Sequence, residues 1–283
     1  MRSSQHLLLV IYSYFLFLIS EGVYSKGIAT TVRSLLEENL PSSNVLPKPP
    51  HCGPDSLGDK LLLNNVVVDQ YPWMALLGFK GDEGVEFLCG GNLINQRYVL
   101  TVAHCVDHSR RENQLSKIRL GEYDLNQEID CVNSECNEKP VDINIEAIIV
   151  HPNYNVRSHH NDIALIRLAA DVNYTRFIQP VCLPLPETRT NVTGEERLTV
   201  ASWGRLDGNP NGKTHMTAHV VEQTDCANML RKFSADLITS QICASTELYK
   251  GNCIGASGDP LMRIIDKNSW FLTKVKCGVT VNR

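Results

Sequence analysis

The sequence predicts an all-β protein from the length and the composition of its apolar runs. From Leu61 onward, short runs rich in β-branched residues alternate with turns made of Gly, Asn and Asp, and stretches with helical periodicity are few. Many short strands separated by turn residues are typical of β-barrels and β-sandwiches. Strands are predicted within YVLTVAHC, KIRLGEYD, INIEAIIVHP, DIALIRLA, RLTVASWG and HMTAHVVEQ.

One segment has the character of a helix. TDCANMLRKF contains good helix formers, and Thr224 or Asp225 is placed to accept hydrogen bonds from the first backbone N–H groups. A short helix is therefore expected here, with one of these two residues near its N-cap.

The N-terminal part of the chain resembles a targeting segment followed by a linker. Residues 1–25 contain Arg2, an apolar run from Leu7 to Ile19 and then small residues, which is typical of a secretory signal. A membrane anchor is the weaker interpretation, because the run is shorter than the roughly 20 apolar residues that span a bilayer. Residues 26–60 mix Ser, Pro and charged residues, as linkers and propeptides do. The folded domain is predicted over residues 61–283.

Composition narrows the classes of partner and the cellular compartment. The net charge is −4, and no cluster of Lys and Arg with interleaved aromatic residues indicates a nucleic-acid surface. Ten cysteines, an even number, indicate disulfides formed in an oxidising compartment, whereas zinc-finger spacings are not found. The glycosylation acceptors Asn173 and Asn191 fit the same secreted, extracellular location. No membrane span is expected after the signal.

Three polar residues, His104, Asp162 and Ser257, each lie at the edge of a strand-like apolar run. A serine hydroxyl becomes a nucleophile when an imidazole takes its proton and a carboxylate orients that imidazole. Taken singly, each residue also has a purely structural interpretation: a core histidine, a turn aspartate and a turn serine.

The sequence segments around these residues, and the order of these segments, resemble those of the trypsin-like (chymotrypsin-fold, S1) serine proteases. The similar segments are CGGNLINQRYVLTVAHC, NDIALIRL and CIGASGDPL, with PWMALL, IQPVCLPLP and QICA in support. The Cys-Gly at Cys52, GEYDL and DCVNSEC are similar to the arthropod clip-type branch, although the knot of six cysteines that defines a clip domain is missing.

The resemblance implies a fold and a set of roles. The fold would be two packed six-stranded antiparallel barrels. His104 would be the general base, Asp162 the orienting carboxylate and Ser257 the nucleophile, and the backbone N–H groups of Gly255 and Ser257 would form the oxyanion hole. Activation would cleave between Lys60 and Leu61. This chemistry requires no cofactor.

The resemblance also implies disulfides and one candidate ion site. The expected pairs are Cys52–Cys182, Cys89–Cys105, Cys226–Cys243 and Cys253–Cys277, and Cys131 and Cys136 then pair locally. Glu122 and Glu128 are candidate calcium ligands, since hard cations take carboxylate oxygens, with ordinary solvated carboxylates as the alternative.

Several positions depart from the family pattern. Where the family has Gly-Asp-Ser-Gly-Gly-Pro, this chain has Ala256 before the serine and Asp259 as the second residue after it. The aspartate that Ala256 replaces forms an ion pair with the new N-terminus after activation, and an unpaired buried ammonium costs several kcal/mol. Gly251 stands where trypsin-like members place the aspartate of the specificity pocket, and the second barrel is expected to be incomplete at its C-terminal end.

Three functional hypotheses follow. The first is a weakly active or inactive protease homologue of an extracellular proteolytic cascade, with cascade proteases or protein substrates as partners. The second is an active serine endopeptidase, and the third a product that misfolds and is not secreted.

Overall fold

The computed structural model describes residues 8–13, 46–54, 66–107, 114–132, 135–184, 197–203, 212–231, 238, 241–245, 257–265 and 269–280. Within these ranges the chain is nearly all β, as predicted. The elements are β1 Leu8–Ser13, β2 Met74–Gly81, β3 Gly84–Leu93, β4 Tyr98–Thr101, α1 Ala103–Val106, β5 Leu115–Leu120, β6 Cys131–Val132, β7 Glu135–Cys136, β8 Val141–Val150, β9 Ala164–Leu168, β10 Arg197–Trp203, β11 Lys213–Val221, α2 Gln223–Arg231, β12 Gln241–Ser245, β13 Pro260–Ile265 and β14 Ser269–Thr280.

The first barrel is closed and antiparallel, with the strand order β2-β3-β4-β9-β8-β5. Strand β2 is buried over its first six residues because it pairs with both β3 and β5 inside the barrel wall. Its register shifts where Leu77 gives way to Gly78, and such an irregularity bends a strand, as closure of a barrel requires. The interior is filled by large apolar side chains such as Trp73, Tyr98 and Ile118.

The second barrel has the order β1-β12-β11-β10-β13-β14. Among the described residues, the part of the chain after residue 196 supplies five of its strands, which agrees with the predicted incomplete second barrel. The sixth position is filled by β1, whose backbone pairs antiparallel with both β12 and β14. Strand β1 lies inside the segment predicted to be a secretory signal, so cleavage after residue 25 would remove it from the barrel.

The two barrels are packed together by aromatic residues and one disulfide. Trp73 Nε1 donates to Met262 Sδ at 3.1 Å across the boundary, and Tyr71 packs edge-on against Trp270 with ring centroids 5.6 Å apart. Cys52–Cys182 ties the segment before the first barrel to the connection that leads into the second. His104 and Asp162 belong to the first barrel, and Ser257 precedes β13 of the second barrel.

Two element boundaries differ from the sequence predictions. The strand predicted through YVLTVAHC ends at Thr101, and a single helical turn, α1, follows, in which the N–H of Asp107 donates to the carbonyl of Ala103 at 2.8 Å. The predicted helix begins at Gln223, one residue before the predicted segment, and Thr224 and Asp225 lie in its first turn, near its N-cap.

Candidate active site

His104 and Asp162 lie where two neighbouring strands of the first barrel meet their loops. His104 is on α1, directly after β4, and Asp162 is two residues before β9 begins. Because β4 and β9 are antiparallel partners, with Thr101 opposite Ala164, the end of one strand adjoins the start of the other. The strand pairing therefore brings the two side chains together although they are 58 positions apart in the sequence.

Asp162 holds His104 through both carboxylate oxygens. Oδ2 lies 2.6 Å from Nδ1 of the imidazole, and Oδ1 accepts the backbone N–H of His104 at 2.8 Å. The Asp162 side chain is fully buried, while that of His104 is 19% exposed. A carboxylate can only accept, so it selects the tautomer with the proton on Nδ1 and the lone pair on Nε2. His104 thus presents a proton acceptor toward solvent.

Ser257 lies on the turn before β13 and is docked on the first barrel by its backbone. Its carbonyl accepts the N–H of Gly90 at 2.8 Å, and it lies 3.9 Å from Sγ of Cys105, the neighbour of His104. The next residue, Gly258, has φ +91°, and a Cβ there would lie 2.0 Å from the carbonyl oxygen of Gly90. Glycine is required at this position, because any side chain would push the serine off β3.

A known protein family matches most of the chain. The protein-family model described as Trypsin matches residues 64–272. The chain belongs to the trypsin family. It is 40% identical over 248 residues to CLIP domain-containing serine protease B9 of Anopheles gambiae, covering 82% of this chain and 61% of the relative. It is 37% identical over 235 residues to Phenoloxidase-activating factor 1 of Holotrichia diomphalia, covering 79% and 64%.

A solved structure shares the fold. The crystal structure of the Drosophila Grass clip serine protease of the Toll pathway superposes with a TM-score of 0.62 at 27% identity, covering 89% of this chain and 72% of that one. The chain spans less than two thirds of the length of the two relatives above. In the part of the chain that is described, no helix is long and apolar enough to cross a membrane.

Several site predictions on the trypsin-like pattern lie outside the described residues. These are Lys60, Leu61, Gly251, Gly255, Ala256, Cys253 with its expected bond to Cys277, and the glycosylation acceptor Asn191. Asn173, the other acceptor, is exposed, as glycosylation requires. The other four expected disulfides are formed: Cys52–Cys182, Cys89–Cys105, Cys131–Cys136 and Cys226–Cys243.

Asp259 is fully buried at the boundary between the barrels, beneath the Ser257 turn. Its Oδ2 accepts a hydrogen bond from Ser202 Oγ at 2.5 Å. A Cβ added at Gly90 would lie 2.2 Å from Oδ1, so the glycine in β3 makes room for this carboxylate. The residue that replaces the family's second glycine after the serine therefore places a carboxyl group in a tightly packed region.

The two candidate calcium ligands have separate protein partners. Glu122 is buried and accepts from Arg119 at 3.2 Å and from the N–H of Tyr123 at 3.0 Å, and burial raises the pKa of its carboxyl group. Glu128 is exposed and forms an ion pair with Lys139. The calcium site therefore stays a prediction.

His159 is the site residue that the sequence predictions missed. Its ring packs edge-on against that of His104, with centroids 5.9 Å apart and planes at 86°. The available signal was its position three residues before Asp162, in HHNDIALIRL. That signal was insufficient because residues three positions apart lie close together in a helix but not in an extended strand. The segment from His159 to Asp162 is neither helix nor strand, so its spacing alone did not predict the contact.

Proposed function

We propose that this chain is a secreted serine endopeptidase of low activity that acts in an extracellular proteolytic cascade. Its partners would be protein or peptide substrates, including other proteases of the cascade. The observation that carries the proposal is the double contact of Asp162 with His104 beside the Ser257 turn. Phenoloxidase-activating and clip-type proteases among the relatives support the cascade, and the predicted signal, the sequons and the disulfides support secretion.

The residues would act in the order of general-base catalysis. Nε2 of His104 takes the proton of Ser257 Oγ as this oxygen attacks the scissile carbonyl carbon, and Asp162 stabilises the imidazolium that forms. The N–H groups of Gly255 and Ser257 would hold the oxyanion. The imidazolium then protonates the leaving amine, and a water deprotonated by His104 hydrolyses the acyl-enzyme.

Low activity follows from the residues around the serine. Ala256 offers no carboxylate to an N-terminus freed after Lys60, so the N–H donors of the oxyanion hole lack the ion pair that orders them in the family. Loss of one such donor typically lowers the rate about 100-fold to 1,000-fold. Gly251 provides no negative charge for a basic substrate side chain, so cleavage after Lys or Arg is not expected.

A fluorophosphonate probe tests this proposal on the Lys60-cleaved protein. We expect slow, stoichiometric labelling of wild type and complete loss of labelling in Ser257→Ala and His104→Ala, because the probe reports the activated hydroxyl. Intact mass and peptide mapping measure the modification. Labelling that persists in His104→Ala, or cleaved and folded wild type that never reacts, would contradict an endopeptidase.

A binding homologue without catalysis is the second candidate, and the buried Asp259 carboxylate favours it. A buried carboxyl group below the serine turn occupies space that the family fills with backbone, and this departs from the packing of the active family members. In this case the surface of the barrels would bind a cascade partner, and chemistry would play no part.

Reversal of the two departures around the serine separates these candidates. We expect Ala256→Asp combined with Asp259→Gly to raise the rate of Ser257 labelling after cleavage by about 100-fold, because it restores the family's partner for the new N-terminus. The single Asp259→Gly variant is the matched control for simple relief of packing. No gain in the double variant, with its melting temperature preserved, would favour the binding homologue.

A further inference from the structure

The catalytic pair belongs to a larger cluster of metal-ligating side chains. One ligand atom each from His104, His159 and Asp162 lies within 4.8 Å of the other two. Nδ1 of His159 is 3.7 Å from Asp162 Oδ2, which is too long for a hydrogen bond but close to the separation of two ligands around one metal ion. For bonds of about 2.0 to 2.1 Å in a tetrahedron, ligand atoms lie roughly 3.3 Å apart.

The backbone directs His159 into this cluster. His159 and Asn161 both have left-handed conformations, with φ of 53° and 55°. Such angles are uncommon outside glycine and cost free energy unless the surroundings stabilise them. Here Gln241 Nε2 donates to the carbonyl of His159 at 3.3 Å, and Asn161 Nδ2 donates to the carbonyl of Asn153 at 2.9 Å. The loop is therefore held in a conformation that places the second imidazole against the first.

The Nδ1 atom of His159 has no hydrogen-bond partner among the described residues, and it is buried. A buried ring nitrogen without a partner costs free energy. The ring as a whole remains reachable from solvent, since the His159 side chain is 33% exposed and that of His104 19%. Part of each ring therefore contacts solvent at the edge of the cluster.

We propose that His104, His159 and Asp162 form a binding site for a divalent transition cation, with zinc as the probe. Two imidazoles and one carboxylate suit Zn²⁺ or Cu²⁺, whereas Ca²⁺ and Mg²⁺ prefer sets made of oxygen. The 2.6 Å separation of His104 Nδ1 and Asp162 Oδ2 opens by about 0.7 Å in the bound state, and a solvent molecule completes a four-coordinate shell.

Bound metal would block catalysis. The cation takes the Nδ1 lone pair of both imidazoles, so the proton that His104 carries on Nδ1 in the free protein is lost from that atom and the neutral ring carries its proton on Nε2 instead. His104 then can neither accept the proton of Ser257 nor return one to a leaving group. The site would act as a reversible inhibitory switch, and it exists whether or not the protein cleaves peptides.

Zinc binding is measured by isothermal titration calorimetry on the tag-free, full-length protein in chelator-treated buffer. We expect one high-affinity zinc ion per chain and at least 10-fold to 100-fold weaker binding in His159→Gln, since loss of a ligand costs no less than loss of a residue behind it. His160→Gln is the matched control, because it removes the adjacent imidazole, which is not in the cluster, and it should bind like wild type.

A second measurement covers variants that fold poorly and keeps the site separate from peptidase activity. Zinc should raise the melting temperature of wild type and His160→Gln but not of His159→Gln. Where Ser257 labelling is detectable, zinc should slow it in wild type and leave it unchanged in His159→Gln. Equal zinc affinity in wild type and His159→Gln, or an equal loss in His160→Gln, would overturn the proposed site.

Discussion

Asp162→Asn is expected to slow fluorophosphonate labelling of Ser257 by roughly 10⁴-fold, the loss in kcat that the same change causes in a serine protease of this fold. The asparagine keeps the shape and the volume of the side chain. Its oxygen still accepts the backbone N–H of His104, a hydrogen bond that is 2.8 Å long in wild type. Its amide group, however, donates toward Nδ1. The imidazole then carries its proton on Nε2 and cannot accept the proton of the serine.

The matched control is Asp171→Asn, which makes the same chemical change at an exposed carboxylate paired with Arg97 at 2.9 Å. An exposed pair of this kind contributes little, about 0 to 1 kcal/mol, so labelling and stability should be unchanged. Circular dichroism melts of both variants separate loss of fold from loss of orientation. Undiminished labelling in a folded Asp162→Asn protein would remove Asp162 from the mechanism.

The strands of the first barrel that carry His104 and Asp162 could be predicted from the sequence because they depend on local patterns. The runs around Val99 and Ile166 have the apolar, β-branched composition of buried strands, and these strands become β4 and β9. Once these pair, the ends that carry His104 and Asp162 must adjoin. Composition predicted the strands, and the resemblance to the trypsin-like proteases implied the barrel and the roles of His104 and Asp162.

The remainder depends on contacts that sequence patterns do not encode. His159 reaches His104 only because two backbone torsions adopt positive φ values, which are stabilised by distant residues such as Gln241. The closure of the second barrel by β1 joins Leu8–Ser13 to Gln241–Ser245 and Ser269–Thr280, far away along the chain, and no sequence pattern indicates that pairing. The burial of two lysines in the second barrel also depends on contacts between distant segments, because it results from the packing of a whole sheet.

These lysines are Lys213 and Lys274, with exposures of 7% and 2%. Lys213 Nζ donates to the carbonyl of Gln70 at 3.2 Å and lies 5.7 Å from the centre of the Trp203 ring, and burial lowers its pKa from 10.5 to about 8. Nearby carboxylates, Glu122 foremost, oppose this shift. Burial lowers the pKa of Lys274 well below 10.5.

Lys274→Met is expected to remove the pH dependence of stability that burial of this amine produces. Lys274 lies in β14 opposite Leu261, where the unbranched methionine fills a similar volume without a group that must be desolvated. Urea denaturation of wild type and variant measures the difference. Lys139→Met, at a side chain that is 70% exposed, is the control and should change stability by less than about 0.5 kcal/mol.

The pH dependence of the same measurement identifies the cause. Because the folded-state pKa of Lys274 is below its unfolded value, the unfolded chain binds more protons between the two, and stability must rise with pH through that window. Wild type should therefore gain stability from neutral pH up to about pH 10, and this gain should be smaller in Lys274→Met. Lys213 contributes a separate rise between pH 8 and 10.5, equivalent to roughly 3 kcal/mol, which Lys274→Met retains. Curves for wild type and Lys274→Met that stay parallel from neutral pH to pH 10 would show that Lys274 keeps an ordinary pKa and would contradict this explanation.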